Sequence, residues 1–200
     1  MQESNNKVFV ATTNEGKLKE FMAVFEGSGI ILESIGIKFN ELQADDIEKI
    51  SKDKAQQAFS ISKKPIFVDD VGIYIDKYKN FPGLNAKQVA AGLGIDGIKR
   101  LIDEGDKAHF TVALSYMDET LESPKTFIGK TTGKLSLRFN GQEETGFPFN
   151  QFFIPDGESK FVCEIPVQER ARFSHRMKAA EKLKQYLIQK NKTIINSTVL

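Results

Sequence analysis

The sequence predicts an α/β fold, and three observations predict it. Short apolar strands alternate with amphipathic helices through the first third of the chain, in the order strand–helix–strand–helix–strand. The first and third of those strands are unbroken Val/Ile/Phe runs, as expected where a sheet is covered on both faces. The middle of the chain then becomes rich in Thr, Phe, Ile and Val split by Gly, which reads as further strands or hairpins.

The elements follow in order. Val8-Phe9-Val10-Ala11 reads as a buried strand, and Thr12-Thr13-Asn14 breaks it with turn and capping residues. From Glu15 a helix carries Leu18, Phe21, Met22 and Phe25 on one face, with Gly27 just past its end. Ile30 to Ile35 is a second strand. Residues 44–60 form a second helix, polar outside a stripe of Ile47, Ile50, Ala55 and Ala58. Pro65 opens a third short strand, Ile66-Phe67-Val68, which ends on two carboxylates. Beyond Phe81-Pro82-Gly83, helical segments run from Ala86 to Gly92 and from Ile95 to Glu104. Phe110 to Met117 and Lys125 to Phe139 read as strands, and Asn140 to Asp156 as a loop. The last helix starts near Ser174 and turns Met177, Ala180, Leu183 and Leu187 to the core. Residues 1–190 make one domain, and 191–200 a frayed polar tail.

Composition narrows the function classes. Lys and Arg number 28 against 27 Asp and Glu, a net charge of +1, so the basic excess of a nucleic-acid-coating protein is missing. With 40% apolar and 10% aromatic residues, the chain is not a disordered solvating tail. A single cysteine, Cys163, excludes an intrachain disulfide and a multi-cysteine zinc site. No apolar run is long enough for a membrane span, and the start lacks a signal-peptide pattern, so a soluble cytoplasmic protein is expected.

Three segments carry candidate chemistry. Thr12-Thr13-Asn14-Glu15-Gly16-Lys17 joins a strand to a helix N-terminus, where free N–H groups and the helix dipole suit an anion. It is not a Walker A loop, which needs Gly at Ala11 and Ser or Thr at Leu18. A capped helix with a surface lysine accounts for the same residues. Asp69 and Asp70 sit at a buried strand end, the usual mouth of an α/β ligand crevice. Alternation turns them to opposite faces, so one binds metal or orders water while the other is held structurally; two turn-forming aspartates are the alternative. Ser174-His175-Arg176 puts two basic side chains in the first turn of a helix, where the dipole disfavours them, a penalty that use on a ligand would explain. A solvated Arg beside a satisfied His is the simpler alternative. His109, inside a strand, reads as structural. The aromatic run Phe147 to Phe153 offers flat faces for a nucleobase, and Lys54, Lys87 and Arg170 could reach phosphates.

Taken in order, Thr-Thr-Asn-Glu-Gly-Lys, Phe-Val-Asp-Asp-Val-Gly, Phe-Pro-Gly and Ser-His-Arg resemble the inosine triphosphate pyrophosphatase family over roughly Lys7 to Leu187. The resemblance implies a mixed central β-sheet flanked by helices, with a cleft between two lobes. It implies hydrolysis of ITP, dITP and XTP to monophosphate and pyrophosphate, with Mg²⁺, by a homodimer. On matching positions, Thr12, Thr13, Asn14 and Lys17 would hold the triphosphate with Lys54 and Lys87, and Glu41 and Asp70 the metal, with Asp69 beside them. Asp70 would otherwise activate water. Arg170 occupies a position usually held by lysine. Phe147 and Phe149 would flank the base, near Asn150, while Ser174, His175 and Arg176 close the site, a protonated His175 and Arg176 donating to its 6-oxo group. Val71, Pro148 and Asn150 depart from the family pattern, which has Ser or Thr, Gly and Asp there. The alternatives are a Maf-like pyrophosphatase for other modified nucleotides and an inactive nucleotide-binding module.

Overall fold

The computed structural model describes residues 6–40, 42–44, 46–138 and 147–198. Its first unit is β1 (Lys7–Val10), a loop, and α1 (Glu15–Phe25). Asn14 begins that helix because its side-chain oxygen accepts from the Lys17 N–H at 3.0 Å. β2 (Ile31–Ser34) returns parallel to β1, and α2 (Ile47–Ser62) follows, capped by Asp46 on the Glu48 and Lys49 amides.

β3 (Ile66–Ile75) lies parallel to β1 on its other side. The expected strand ended at Val68; the observed one runs straight through Asp69 and Asp70. The reason is tertiary: β5 (Lys107–Met117) pairs with all ten residues of β3, and both carboxylates find cationic partners. β4 (Pro82–Gly83) adds a short antiparallel rung to β3. α3 (Ala86–Leu101) contains one non-helical residue, Gly94, at φ 62° and ψ −176°, so the two helical segments read from the sequence abut at a kink that glycine permits. β6 (Lys125–Leu135) and β7 (Phe153–Pro155) continue antiparallel. β7 falls inside the segment read as a loop, whose residues 140–146 lie outside those described, as does Phe139 at the end of the expected strand.

Among the described residues the sheet order is β2-β1-β3-β5-β6-β7, parallel in its first half and antiparallel in its second. α1 and α4 (His175–Thr198) cover one face through Phe21, Phe25, Ala180 and Leu183; α2 covers the other through Ala55 and Ala58 on Ile66 and Val68. A separate aromatic core, with Phe149, Phe152 and Phe153 fully buried, fills the far end beside α3. α4 continues past Lys190 to Thr198, with Lys190 on Asp118 and Thr120 and Asn191 on Asn6. No helix among the described residues is long and apolar enough to cross a membrane.

Candidate active site

Two cavities meet beyond the end of β1 and alongside the middle of β3. The outer one, about 1160 Å³, runs along the Thr12–Lys17 loop, the Asp69-Asp70 stretch of β3, Lys54 of α2 and the Pro82–Gln88 turn. The inner one is smaller and lies between α1, β5, β6, the turn Val167–Arg172 and the start of α4. Asn14, Lys17, Val71, Lys87 and Phe147 line both and form the waist.

At the outer cavity the two aspartates diverge, as strand alternation requires. Asp69 accepts from Lys17 Nζ at 2.9 Å and from Arg176 Nε at 3.2 Å. Burial alone would raise its pKa, but those two cations together hold it well below the usual carboxylate range. Asp70 Oδ1 accepts from Lys54 Nζ at 2.7 Å, while its Oδ2 is buried without a hydrogen-bond partner among the described residues. Desolvation raises the Asp70 pKa despite Lys54. One carboxylate is thus a fixed anchor; the other retains an acceptor oxygen with raised proton affinity. Burial lowers the pKa of Lys87, and its neighbours Lys17, Arg176 and Lys54 act in the same direction against Asp69. The cleft floor is therefore electropositive, which suits a polyanion.

An orphaned carboxylate oxygen is a suitable ligand for a hard cation such as Mg²⁺, which takes one or two carboxylates and completes its shell with water and phosphate oxygens. Asp70 fits that role. Among the described residues no three His, Cys, Asp or Glu side chains cluster as a metal cage. Glu41, the second ligand expected from the resemblance, lies outside the described residues.

The inner cavity is walled by Phe110, Phe147, Phe173, Val162 and Val167. Ser174 caps α4 and also donates to Glu20 Oε2 at 3.0 Å; Arg176 Nη1 donates to Glu20 Oε1 at 2.9 Å. The unfavourable cation in the first turn is thus offset by two buried carboxylates, Glu20 and Asp69, rather than by an acid at Asn150. His175 stacks on Phe110, with ring centroids 5.0 Å apart and planes at 12°. Burial, with Arg176 and Lys17 nearby, pushes its pKa well below 6.5, so it is neutral at pH 7. The expected protonated His175 is corrected on that ground.

The structure brings Thr12, Thr13, Asn14, Lys17, Lys54, Lys87 and Asp70 to the outer cavity and Phe147, Asn150, Ser174, His175 and Arg176 to the inner one. Two placements differ from expectation. Phe149 has no exposed surface and packs in the aromatic core, so of the two rings only Phe147 lines the cavities. Arg170 lines the inner cavity, its Nε donating to the Ile165 carbonyl at 2.8 Å, and not the phosphate-side cleft. His109 stays away from both, stacked on Tyr74 beside Asp76. Glu20, Thr131 and Phe110 escaped the sequence reading. Only Glu20 left a signal: a carboxylate between the core residues Leu18 and Phe21 of an amphipathic helix.

Comparison with known proteins agrees with this architecture. A model of the Ham1 family matches residues 8–186. The dITP/XTP pyrophosphatase of Saccharolobus solfataricus is 36% identical over 184 residues, covering 90% of this chain and 93% of that protein. Inosine triphosphate pyrophosphatase 1 of Trypanosoma cruzi is 31% identical, covering 92% and 93%. Among solved structures, a HAM1 protein from Coxiella burnetii superposes with a TM-score of 0.74 at 20% identity, over 92% of this chain and 98% of that one, a likeness of fold.

Proposed function

The chain belongs to the Ham1 family, and from that membership and the paired cavities we propose that it hydrolyses non-canonical purine nucleoside triphosphates, dITP, XTP and ITP, to the monophosphate and pyrophosphate. The observation that carries this reading is the junction of the cavities. An aromatic pocket with hydrogen-bonding groups opens onto an electropositive cleft, and the unpartnered Asp70 oxygen belongs to the cleft.

The chain's own groups suit attack of water on the α-phosphorus. Lys17, Lys54 and Lys87, with the first-turn amides of α1, orient the phosphates and oppose the charge that grows on the leaving pyrophosphate. Asp70 Oδ2 accepts a proton from the attacking water, a role its raised proton affinity favours. Asp69 bonds both Lys17 and Arg176, which ties the anchors of the two cavities together. In the alternative role Asp70 Oδ2, with Glu41 as a second carboxylate, would hold Mg²⁺, which would supply further neutralisation of phosphate charge.

Incubation with ITP, XTP, dITP, GTP and ATP, with and without Mg²⁺, tests the reading by product identity. Pyrophosphate and monophosphate from the first three, lost on chelation, are expected. Orthophosphate release, or no turnover of the first three, overturns it. The same reading makes the enzyme a cytoplasmic homodimer acting on free nucleotides. Sedimentation velocity at micromolar concentration is expected to return twice the chain mass, and a monomer mass would refute the assembly.

A further inference from the structure

Thr131 of β6 is buried between the two segments that shape the inner cavity, and it lines that cavity. Its hydroxyl donates to the Phe173 carbonyl at 2.5 Å, and a carbonyl can only accept. The hydroxyl has one proton, and that proton is committed. Toward His175 Nδ1, 3.4 Å away, Thr131 Oγ1 can therefore act only as an acceptor, so a hydrogen bond between them puts the hydrogen on Nδ1. The arrangement is rigid. Gly129, two residues earlier, has no room for a side chain, since a Cβ there would come within 1.9 Å of the His175 carbonyl oxygen.

The groups around the imidazole favour its neutral form. Arg176 and Lys178 flank it on α4, Lys17 approaches from α1, and Phe110 covers one ring face from β5. Asp69 of β3 acts in the opposite sense but is already bonded to Lys17 and Arg176. Glu20 of α1 is taken by Ser174 and Arg176, while Lys87 and Arg170 add positive charge to the same cavity wall. A neutral imidazole with hydrogen on Nδ1 has a bare lone pair on Nε2. Nε2 has no hydrogen-bond partner among the described residues, and His175 lines the cavity.

We propose that Thr131 is a positioning residue that fixes His175 as the Nδ1–H tautomer, so that the imidazole offers the base an acceptor and not a donor. Arg176 beside it uses two of its N–H groups on Glu20 and Asp69 and offers the remainder of its fork. Donor and acceptor side by side complement a lactam edge, the C6=O and N1–H of an oxo-purine. Adenine presents the reverse, an amino donor toward Arg176 and a bare N1 toward the lone pair. Two mismatches at one edge discriminate more strongly than a pair of donors, which tests the 6-position alone. This inference rests on reading the inner cavity as the base site.

Histidine-labelled protein near neutral pH gives the first test, independent of turnover. Long-range ¹H–¹⁵N correlations are expected to show one neutral ring protonated at Nδ1, assigned to His175 by its persistence in His109→Asn. Protonation at Nε2, or an imidazolium, overturns the tautomer assignment and leaves the pyrophosphatase reading untouched. The second test is the ratio of kcat/KM for ITP over ATP. Thr131→Val is expected to lower that ratio roughly tenfold, about the effect of one hydrogen bond, and to mix the tautomers; Thr131→Ser is expected to retain both properties. A Val variant with unchanged tautomer and ratio overturns the role of Thr131. Absence of ITP turnover in the wild type overturns the base-site reading itself.

Discussion

Asp70→Asn is expected to reduce ITP turnover by about 10²–10⁴-fold while the protein remains folded. The substitution keeps the shape of the side chain and its acceptor toward Lys54, now 2.7 Å from Oδ1. It removes the negative charge and replaces the unpartnered Oδ2 with an amide nitrogen that can neither take a proton nor ligate a cation. Stability moves little, because the native environment already disfavours the ionised carboxylate: desolvation outweighs Lys54, and the neighbouring Asp69 adds to the penalty. A raised folded-state pKa means that ionised Asp70 contributes no stability at neutral pH, so its neutral replacement is expected to unfold at the same denaturant concentration or a higher one. Steady-state rates with ITP and a urea titration of the same preparation check both halves. Turnover within tenfold of wild type would remove Asp70 from the reaction. Lost activity with a large fall in stability would make its role architectural.

How much of this was legible in the sequence depends on which forces place each residue. Local signals placed the helices: Asn14 and Ser174 are N-caps, Gly27 follows α1, and the Gly92–Gly94 break falls where α3 kinks. The α/β class followed from the order of strands and helices, and the mixed sheet and most cleft residues from the resemblance. The full length of β3 was not legible, because Asp69-Asp70 interrupts its apolar pattern and only pairing with β5 and distant cations keeps it extended. The fate of the aromatic run was also nonlocal. Phe147 and Phe149 look alike in sequence, yet a short 3₁₀ turn, Pro148–Gln151, turns one to the cavity and the other into the core. His175 packs on Phe110 and meets Thr131, both more than forty residues away, and no spacing rule reports such contacts.

Arg176→Leu is expected to destabilise the protein by about 3–5 kcal/mol, the cost of leaving buried charges without their partner. The guanidinium is 9% exposed and joins Glu20, also 9% exposed, to Asp69, 2% exposed. Leucine fills much of the volume, so a cavity is not the main term; the stranded carboxylates are. Among the described residues Glu20 keeps only the Ser174 hydroxyl and Asp69 only Lys17. Equilibrium unfolding in urea measures the loss. The pH dependence identifies its origin. In the wild type Asp69 titrates below its unfolded value of 3.8, so its contribution is present above that value and lost as pH falls through the folded one. Without Arg176 that depression weakens, and the variant can relieve its buried charge by taking up a proton. The gap between the two proteins is therefore expected to narrow as pH falls from about 7 to about 4. Glu20→Gln in the Arg176→Leu background removes one stranded charge and is expected to recover part of the loss, a coupling that a double-mutant cycle reads directly. A loss below about 1 kcal/mol, or a gap that stays constant with pH, would show that packing and not the buried ion pairs holds the start of α4 against α1.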